Sequence, residues 1–405
     1  MKINVLKDAN VEGKLILLRT DVNSPVVKGK LIDSPRFSEA AKTINYLLKK
    51  KAKVVILAHQ GSKESPDFMP PLLQHARILS KYAKRKISYV DGLFEDRTIR
   101  KIKSLKNGEA ILLKNVRHYK DEFNLKKSRF HAFSKIFDIY VNDAFSVSHR
   151  KHASIVIPPE KIISYAGLLF EKELDAIQRF ASKKSQAAAY LLGGEKIKDY
   201  LPLFDVLKDK KNILLLSGVP ANIVLISLGR NLGYENHWVK EKRYANLLPE
   251  YKERYLRYSR QIILPVDFAI GSPEKNISIN SRKEALLSEA PYKEKIWDVG
   301  HKTSDLFKKK LEGKRLIFMK GPLGYSEVPA FRYATDEIIK KISLLTKDCQ
   351  VFSLLGGGHL ATTVKKCRKE SDFSHVSLSG GALIHYLSKK PLPGLEALIH
   401  CYLNN

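Results

Sequence analysis

The chain has 405 residues, 44% hydrophobic and 28% charged, with a formal net charge of +30. That length is more than one hydrophobic core usually serves, so two domains are expected, and no apolar run reaches the ~18 residues of a membrane span. The polar, mixed-charge start does not read as a signal peptide, and Cys349, Cys367 and Cys401 show no metal-ligand spacing and argue against a disulfide framework, which fits a reducing cytoplasm.

In chain order, short apolar runs alternate with longer amphipathic stretches. The first half contains K-L-I-L-L-R-T-D-V, K-V-V-I-L-A-H, A-I-L-L-K-N and D-I-Y-V-N-D. The second contains A-A-Y-L-L-G-G, I-L-L-L-S-G, L-I-F-M-K-G and V-F-S-L-L-G-G-G. Runs with few alternating polar residues are the pattern of parallel strands covered on both faces. The expected fold is therefore α/β: two doubly wound, Rossmann-like parallel-sheet lobes. Residues 171–185, E-K-E-L-D-A-I-Q-R-F-A-S-K-K-S, read as an amphipathic helix bridging them. The expected division is 1–170 and 186–385 for the lobes. Residues 386–405, marked by K-K-P-L-P-G, form a tail that packs back on the first lobe.

In an open α/β sheet, ligands bind beyond the carboxyl ends of the strands. In the first half those ends carry Arg19, Asp21, Asn23, His59, Arg117, His118, Asn142, Asp143, His149, Arg150 and His152, with Arg36 following in D-S-P-R-F. Guanidinium groups from separate strands suit a small, multiply charged anion. In the second half the same positions carry glycine: Gly193 and Gly194, Gly218, Gly321, Gly356, Gly357 and Gly358, then Gly380 and Gly381. Glycine lets the backbone approach a phosphate, and a following helix N-terminus supplies free N–H donors. Neither G-x-x-x-x-G-K-[ST] nor a strand-following G-x-G-x-x-G is present, so this half reads as a nucleotide lobe of another kind.

Taken in order, R-T-D-V-N-S-P, D-S-P-R-F-S-E-A, L-A-H-Q-G, L-L-K-N-V-R, Y-V-N-D-A-F-x-x-x-H-R-x-H-A-S, L-L-G-G-E-K, L-P-V-D, D-V-G-H-K-T, K-G-P-L-G-Y-S-E, L-L-G-G-G and H-V-S-L-S-G-G-A resemble phosphoglycerate kinase, in its archaeal form. The resemblance runs from Arg19 to Ala382. It implies reversible phosphoryl transfer from 1,3-bisphosphoglycerate to MgADP, giving 3-phosphoglycerate and MgATP, with hinge closure between an acid-binding and a nucleotide-binding lobe. It implies that Asp21, Asn23, Arg36, His59, Arg117 and Arg150 bind the phosphoglycerate, and that Arg36 and Lys196 are catalytic. It assigns Gly193, Gly194, Lys196, Gly218, Asn222, Glu327, Gly356, Gly357 and Gly358 to the nucleotide, and Gly380 and Gly381 to backbone lining the transfer region. Mg²⁺ would arrive with ADP or ATP.

Three positions depart from the family pattern. His359 follows the triple glycine where an aspartate usually stands near Mg²⁺, so the metal ligand is left unassigned. Ser62, beside Lys63, replaces a frequent arginine. Tyr200, near Lys198, replaces a second lysine four residues after the first. These keep a catalytically impaired homologue as an alternative. The charge surplus makes a nucleic-acid-binding protein the other. That reading predicts basic residues interleaved with aromatics on one face, whereas the lysines here are scattered over surface-like segments such as 47–53, 208–211 and 365–369. No specific nucleic acid and no membrane partner are expected.

Overall fold

The computed structural model describes residues 2–183, 185–273 and 281–404. The chain divides into two compact units: Met1–Asp175 with Lys390–Asn405, and Ala176–Lys389.

Unit 1 is built on β1 (Leu15–Thr20), β4 (Lys53–Leu57), β5 (Ile87–Val90), β6 (Ala110–Leu113), β7 (Ile139–Asp143) and β8 (Ser164–Ala166), with a small hairpin of β2 (Val26–Val27) and β3 (Lys30–Leu31). The six strands lie in the order β5-β6-β4-β1-β7-β8, all parallel. Side chains alternate between the faces, as the two-residue period of a strand requires. Ile16, Leu18, Val54, Ile56 and Val141 enter one core. Leu17, Val55, Leu57, Ile111 and Tyr140 enter the other. Both faces are buried, which is why these strands are continuous apolar runs.

Unit 2 contains β9 (Ala188–Leu192), β10 (Ile213–Leu216), β11 (Ile262–Ile263), β12 (Asp267–Gly271), β13 (Lys283–Leu286), β14 (Lys295–Val299), β15 (Leu316–Lys320), β16 (Phe352–Gly356) and β17 (His375–Ser377). Its main sheet runs β11-β10-β9-β15-β16-β17, all parallel, and β13-β12-β14 form a second, antiparallel sheet. Counted along the main sheet, this is the 3-2-1-4-5-6 order of the dinucleotide-binding folds. The strand order reverses between β9 and β15 in unit 2, and between β1 and β7 in unit 1. Those reversals open the crevices where ligands bind.

The helix expected over 171–185 runs Leu168–Ser182, and Lys184 lies outside the described residues. Its start is set by Asp143 at the end of β7, whose carboxylate accepts from the Leu169 and Phe170 N–H groups at 2.9 and 3.3 Å. Gly167 makes room for this cap, since a Cβ there would lie 2.3 Å from Asp143 Oδ1. Residues 390–405 belong to unit 1, where the helix Pro393–Leu403 packs on Ala153–Lys161.

Burial raises the Asp143 pKa to about 7, against hydrogen bonds that pull it down. The folded protein therefore holds a proton that the unfolded chain releases near pH 3.8. The stability this group contributes is complete below that pH and is lost as pH rises through about 7. Asp143→Asn keeps an acceptor oxygen for the helix N-terminus and removes the buried charge. The variant should gain stability over wild type progressively between pH 4 and 7, by on the order of 4 kcal/mol at pH 8. Thermal unfolding of both proteins at pH 4, 6 and 8 measures it; a pH-independent difference would refute it.

Candidate active site

In unit 1 the charged groups gather at the carboxyl ends of β1, β4, β6 and β7. Arg19, the fifth residue of β1, is wholly buried. Its guanidinium donates to Ser154 Oγ at 3.0 Å and to the Thr20 carbonyl, and lies 3.2 Å from His59 Nδ1. Ser154 is held in turn by buried Glu122, which accepts from its N–H and hydroxyl at 2.9 Å each. This network fixes a strand-end cation inside the protein.

Asp21 lies one residue beyond β1 and accepts from Arg36, from the Ser146 hydroxyl and, at 3.0 Å, from the Asn23 N–H. Burial alone would raise its pKa, but Arg36, Ser146, Asn23 and Arg19 together hold it below the usual carboxylate value. It is an anion at neutral pH. Asn23 Oδ1 accepts from the Gly61 N–H at 2.7 Å, and the Gly61 carbonyl accepts from Arg117 Nη1 at 2.7 Å. Gly61 has φ +65°, and a Cβ there would meet the Asp67–Phe68 backbone at 2.7 Å. One glycine thus links the loops after β1, β4 and β6.

His59 lies among the arginines, as expected, but is not one of the cations. Burial, then the charges of Arg117, Arg19 and Arg36, push its pKa well below the ordinary value. It stands as a neutral imidazole whose Nδ1 accepts from Arg19. His152 is likewise neutral, with its pKa lowered to about 3 by burial and by Arg117 and Arg150. The cations are therefore the arginines. Arg117 is buried, and burial together with Arg150 and Arg19 lowers its pKa to about 10. Arg150 is exposed at the rim, beside half-buried His149. Four guanidinium groups surround two buried carboxylates, Asp21 and Glu122, so the site keeps a positive excess that an anion would neutralise.

In unit 2 the glycines cluster at the reversal point. Gly193 and Gly194 follow β9. A Cβ on Gly193 would lie 2.1 Å from the Pro322 carbonyl oxygen, and one on Gly218 3.0 Å from the Gly194 nitrogen. Gly218 opens the helix Gly218–Ser227 with φ +56°. Gly356 ends β16, and Gly357, with φ +114°, donates to the Ser377 carbonyl at 3.1 Å and precedes the helix Gly358–Cys367. Gly380 precedes the helix Gly381–Leu387, and its Cβ would lie 3.8 Å from the Gly357 Cα. The backbone around the ends of β9, β15, β16 and β17 is therefore open to a ligand and carries helix N-termini.

The remaining assigned residues fall in different settings. Lys196 and Glu327 are exposed. Asn222 is buried, and its amide donates to Glu235 at 3.2 Å, while Glu235 accepts from the Ile296 N–H at 3.0 Å. Tyr200 is buried and its hydroxyl donates to the Gly193 carbonyl at 2.6 Å. His359 is exposed in the first turn of its helix. Mg²⁺ is a hard cation that takes oxygen ligands, which His359 does not offer. Among the described residues no group of three histidine, cysteine, aspartate or glutamate side chains could hold a metal ion.

Sequence reasoning placed Arg19 among the strand-end cations but gave no role to Ser146, Glu122 or Lys320. Ser146 and Lys320 sit within or beside apolar runs and Glu122 in the charged turn K-D-E, so each reads as the edge of an element. No helix among the described residues is long and apolar enough to cross a membrane.

A family model described as phosphoglycerate kinase matches residues 6–390. The chain is similar to the phosphoglycerate kinase of Methanopyrus kandleri, at 32% identity over 98% of both chains. It is similar to that of Methanosarcina mazei at 34% identity, over 98% of this chain and 95% of the relative. Among solved structures, phosphoglycerate kinase from Pyrococcus horikoshii OT3 superposes with a TM-score of 0.90 at 31% identity, covering 100% of both chains. The enzyme from Coxiella burnetii superposes with a TM-score of 0.74 at 27% identity, covering 98% of this chain and 99% of that one.

Proposed function

This chain belongs to the phosphoglycerate kinase family, and on that premise we propose that it transfers a phosphoryl group reversibly between the carboxyl-phosphate anhydride of 1,3-bisphosphoglycerate and MgADP. The products are 3-phosphoglycerate and MgATP, and the metal comes with the nucleotide as substrate. The observation that carries the reading is the excess of guanidinium groups around Asp21 at the reversal point of the first sheet.

Arg117 and Arg150 bind the phosphate at the C3 end of the sugar acid. Their charges are only partly compensated within the protein, so an anion relieves a repulsion already present. Asp21 and Asn23 orient the hydroxyl and carboxyl region. Arg36, already paired with Asp21, is held at the start of its helix to neutralise the oxygens of the group in transfer. His59 braces Arg19 and Asp21 as a neutral ring and takes no proton. The glycine-lined strand ends of unit 2 receive the nucleotide phosphates, Lys196 approaches the transferred group, and Glu327 accepts from the ribose hydroxyls. Phosphoryl transfer asks little covalent help of a protein; alignment and charge stabilisation carry it. Donor and acceptor oxygens must meet in line, and hinge closure performs that step. A cytoplasmic location fits a substrate pair of this kind.

The test is a coupled assay of ADP release by the purified chain with 3-phosphoglycerate and MgATP. Turnover within about 1–10³ s⁻¹, dependent on both substrates, is expected. Binding of MgATP with no turnover would instead identify a catalytically impaired homologue.

A further inference from the structure

Lys320 closes β15, a central strand of the unit 2 sheet, at the point where the strand order reverses. The four residues before it, Leu316 to Met319, are apolar and buried, and Lys320 itself is only 4% exposed. Among the described residues its ammonium has no hydrogen-bond partner. The carboxylate of Asp199, which is half exposed, stands 4.0 Å away, too far for a hydrogen bond. The other neighbour is the face of Tyr200, 4.7 Å from Nζ to the ring centroid. A buried lysine that is neither hydrogen-bonded nor closely paired is costly, and such groups call for an explanation.

The surroundings supply one. A Cβ on Gly380 would lie 3.0 Å from Lys320 Cε and 3.7 Å from its Nζ, so the side chain runs beneath glycine backbone. The Lys320 carbonyl accepts from the Gly193 N–H at 3.0 Å, which ties the lysine to the turn after β9. Tyr200 cannot offer its hydroxyl to a ligand, because that hydroxyl donates to the Gly193 carbonyl. Its ring serves as a platform that holds the ammonium in place. The position expected to carry a second cation near Lys196 is thus a tyrosine, and a cation from a different strand rests on that tyrosine.

We propose that Lys320 is a phosphate-binding residue of the nucleotide site, its ammonium donating to the terminal phosphoryl oxygens of a nucleoside di- or triphosphate. The proposal rests on the reading of unit 2 as the nucleotide lobe. The charged and titratable groups facing Lys320 are Asp199, Lys196 and Tyr200. Burial, the largest effect, and Lys196 lower the Lys320 pKa to about 8 against the pull of Asp199. A phosphate anion would restore its charge.

The experiment measures MgADP affinity and thermal stability of wild type and Lys320→Met, with affinity taken from pH 6.5 to 9.5. Methionine keeps the length and apolar stem without the ammonium. MgADP affinity should fall about tenfold to a hundredfold, the range for a lost hydrogen bond to a charged group, with the melting temperature unchanged or raised. Wild-type affinity should weaken as pH rises above about 8, where the free ammonium loses its proton, and the variant should lack that limb. A variant that binds MgADP within twofold of wild type overturns the proposal and leaves the nucleotide-lobe reading intact. A variant that melts well below wild type makes Lys320 a structural partner of Asp199, which overturns it too. Wild-type protein that does not bind MgADP overturns both readings.

Discussion

Arg36→Ala should lower kcat about 10³-fold while leaving the fold and MgADP affinity close to wild type. The magnitude is that of removing one preorganised positive donor from a phosphoryl-transfer centre. The selectivity follows from the geometry. Arg36 sits in the first turn of the helix Pro35–Lys49, where alanine is a good helix former. Its side chain is 17% exposed, so truncation leaves no deep cavity. Asp21 keeps the Ser146 hydroxyl and the Asn23 N–H when Arg36 is gone, which limits the cost of the uncompensated carboxylate. Its pKa should rise with the loss of the largest charge that holds it down. Steady-state kinetics and a melting curve check the claim. A kcat within threefold of wild type would remove Arg36 from the mechanism. A fall in both kcat and melting temperature would make its ion pair structural.

Lys196→Ala is expected to reduce kcat about 10²-fold, with a change in MgADP affinity below about fivefold. Lys196 is exposed and immediately precedes the short turn Ile197–Asp199. The fold gains nothing from it, so its removal should leave the melting temperature unchanged. Lys320 lies deeper, at the strand end, and remains to bind phosphate in the variant. The two lysines should therefore separate in kinetics, with Lys196 acting on kcat and Lys320 on nucleotide affinity. Equal loss of affinity in both variants would contradict this division; an unaltered kcat in Lys196→Ala would exclude it from the transfer step.

The central strands were legible because burial on both faces demands unbroken apolar runs. The same physics hid the edges. Ile87–Val90, Ser164–Ala166, Ile262–Ile263 and His375–Ser377 are two to four residues long and include partly exposed positions, so they lack that signature. The antiparallel sheet of unit 2 was hidden for another reason. Asp267 of L-P-V-D looks like a loop residue, yet it begins β12 and caps the helix His301–Leu311 through the Lys302 and Thr303 N–H groups at 2.9 and 2.7 Å. Candidate site residues could be picked out where polar groups break an apolar run, as at Asp21 and Arg117. Charge state could not be read that way. His59 and His152 look cationic in a string of letters, and only their burial among arginines makes them neutral. Lys320 escaped notice because a lysine ending a strand looks solvated until the neighbouring loops are folded over it.

The return of residues 390–405 to unit 1 has a consequence for the order of folding. The Gly394 N–H donates to the Ser148 carbonyl at 2.9 Å, and a Cβ on Gly394 would lie 2.8 Å from both Ser148 Oγ and Ile155 Cγ2. The segment leading to Arg150 is therefore buttressed by residues that follow the whole of unit 2 in the chain. Unit 1 is discontinuous, so its packing around Ser148 cannot be complete until Ala176–Lys389 has been spanned, and a fragment that stops before Lys390 should lack that support.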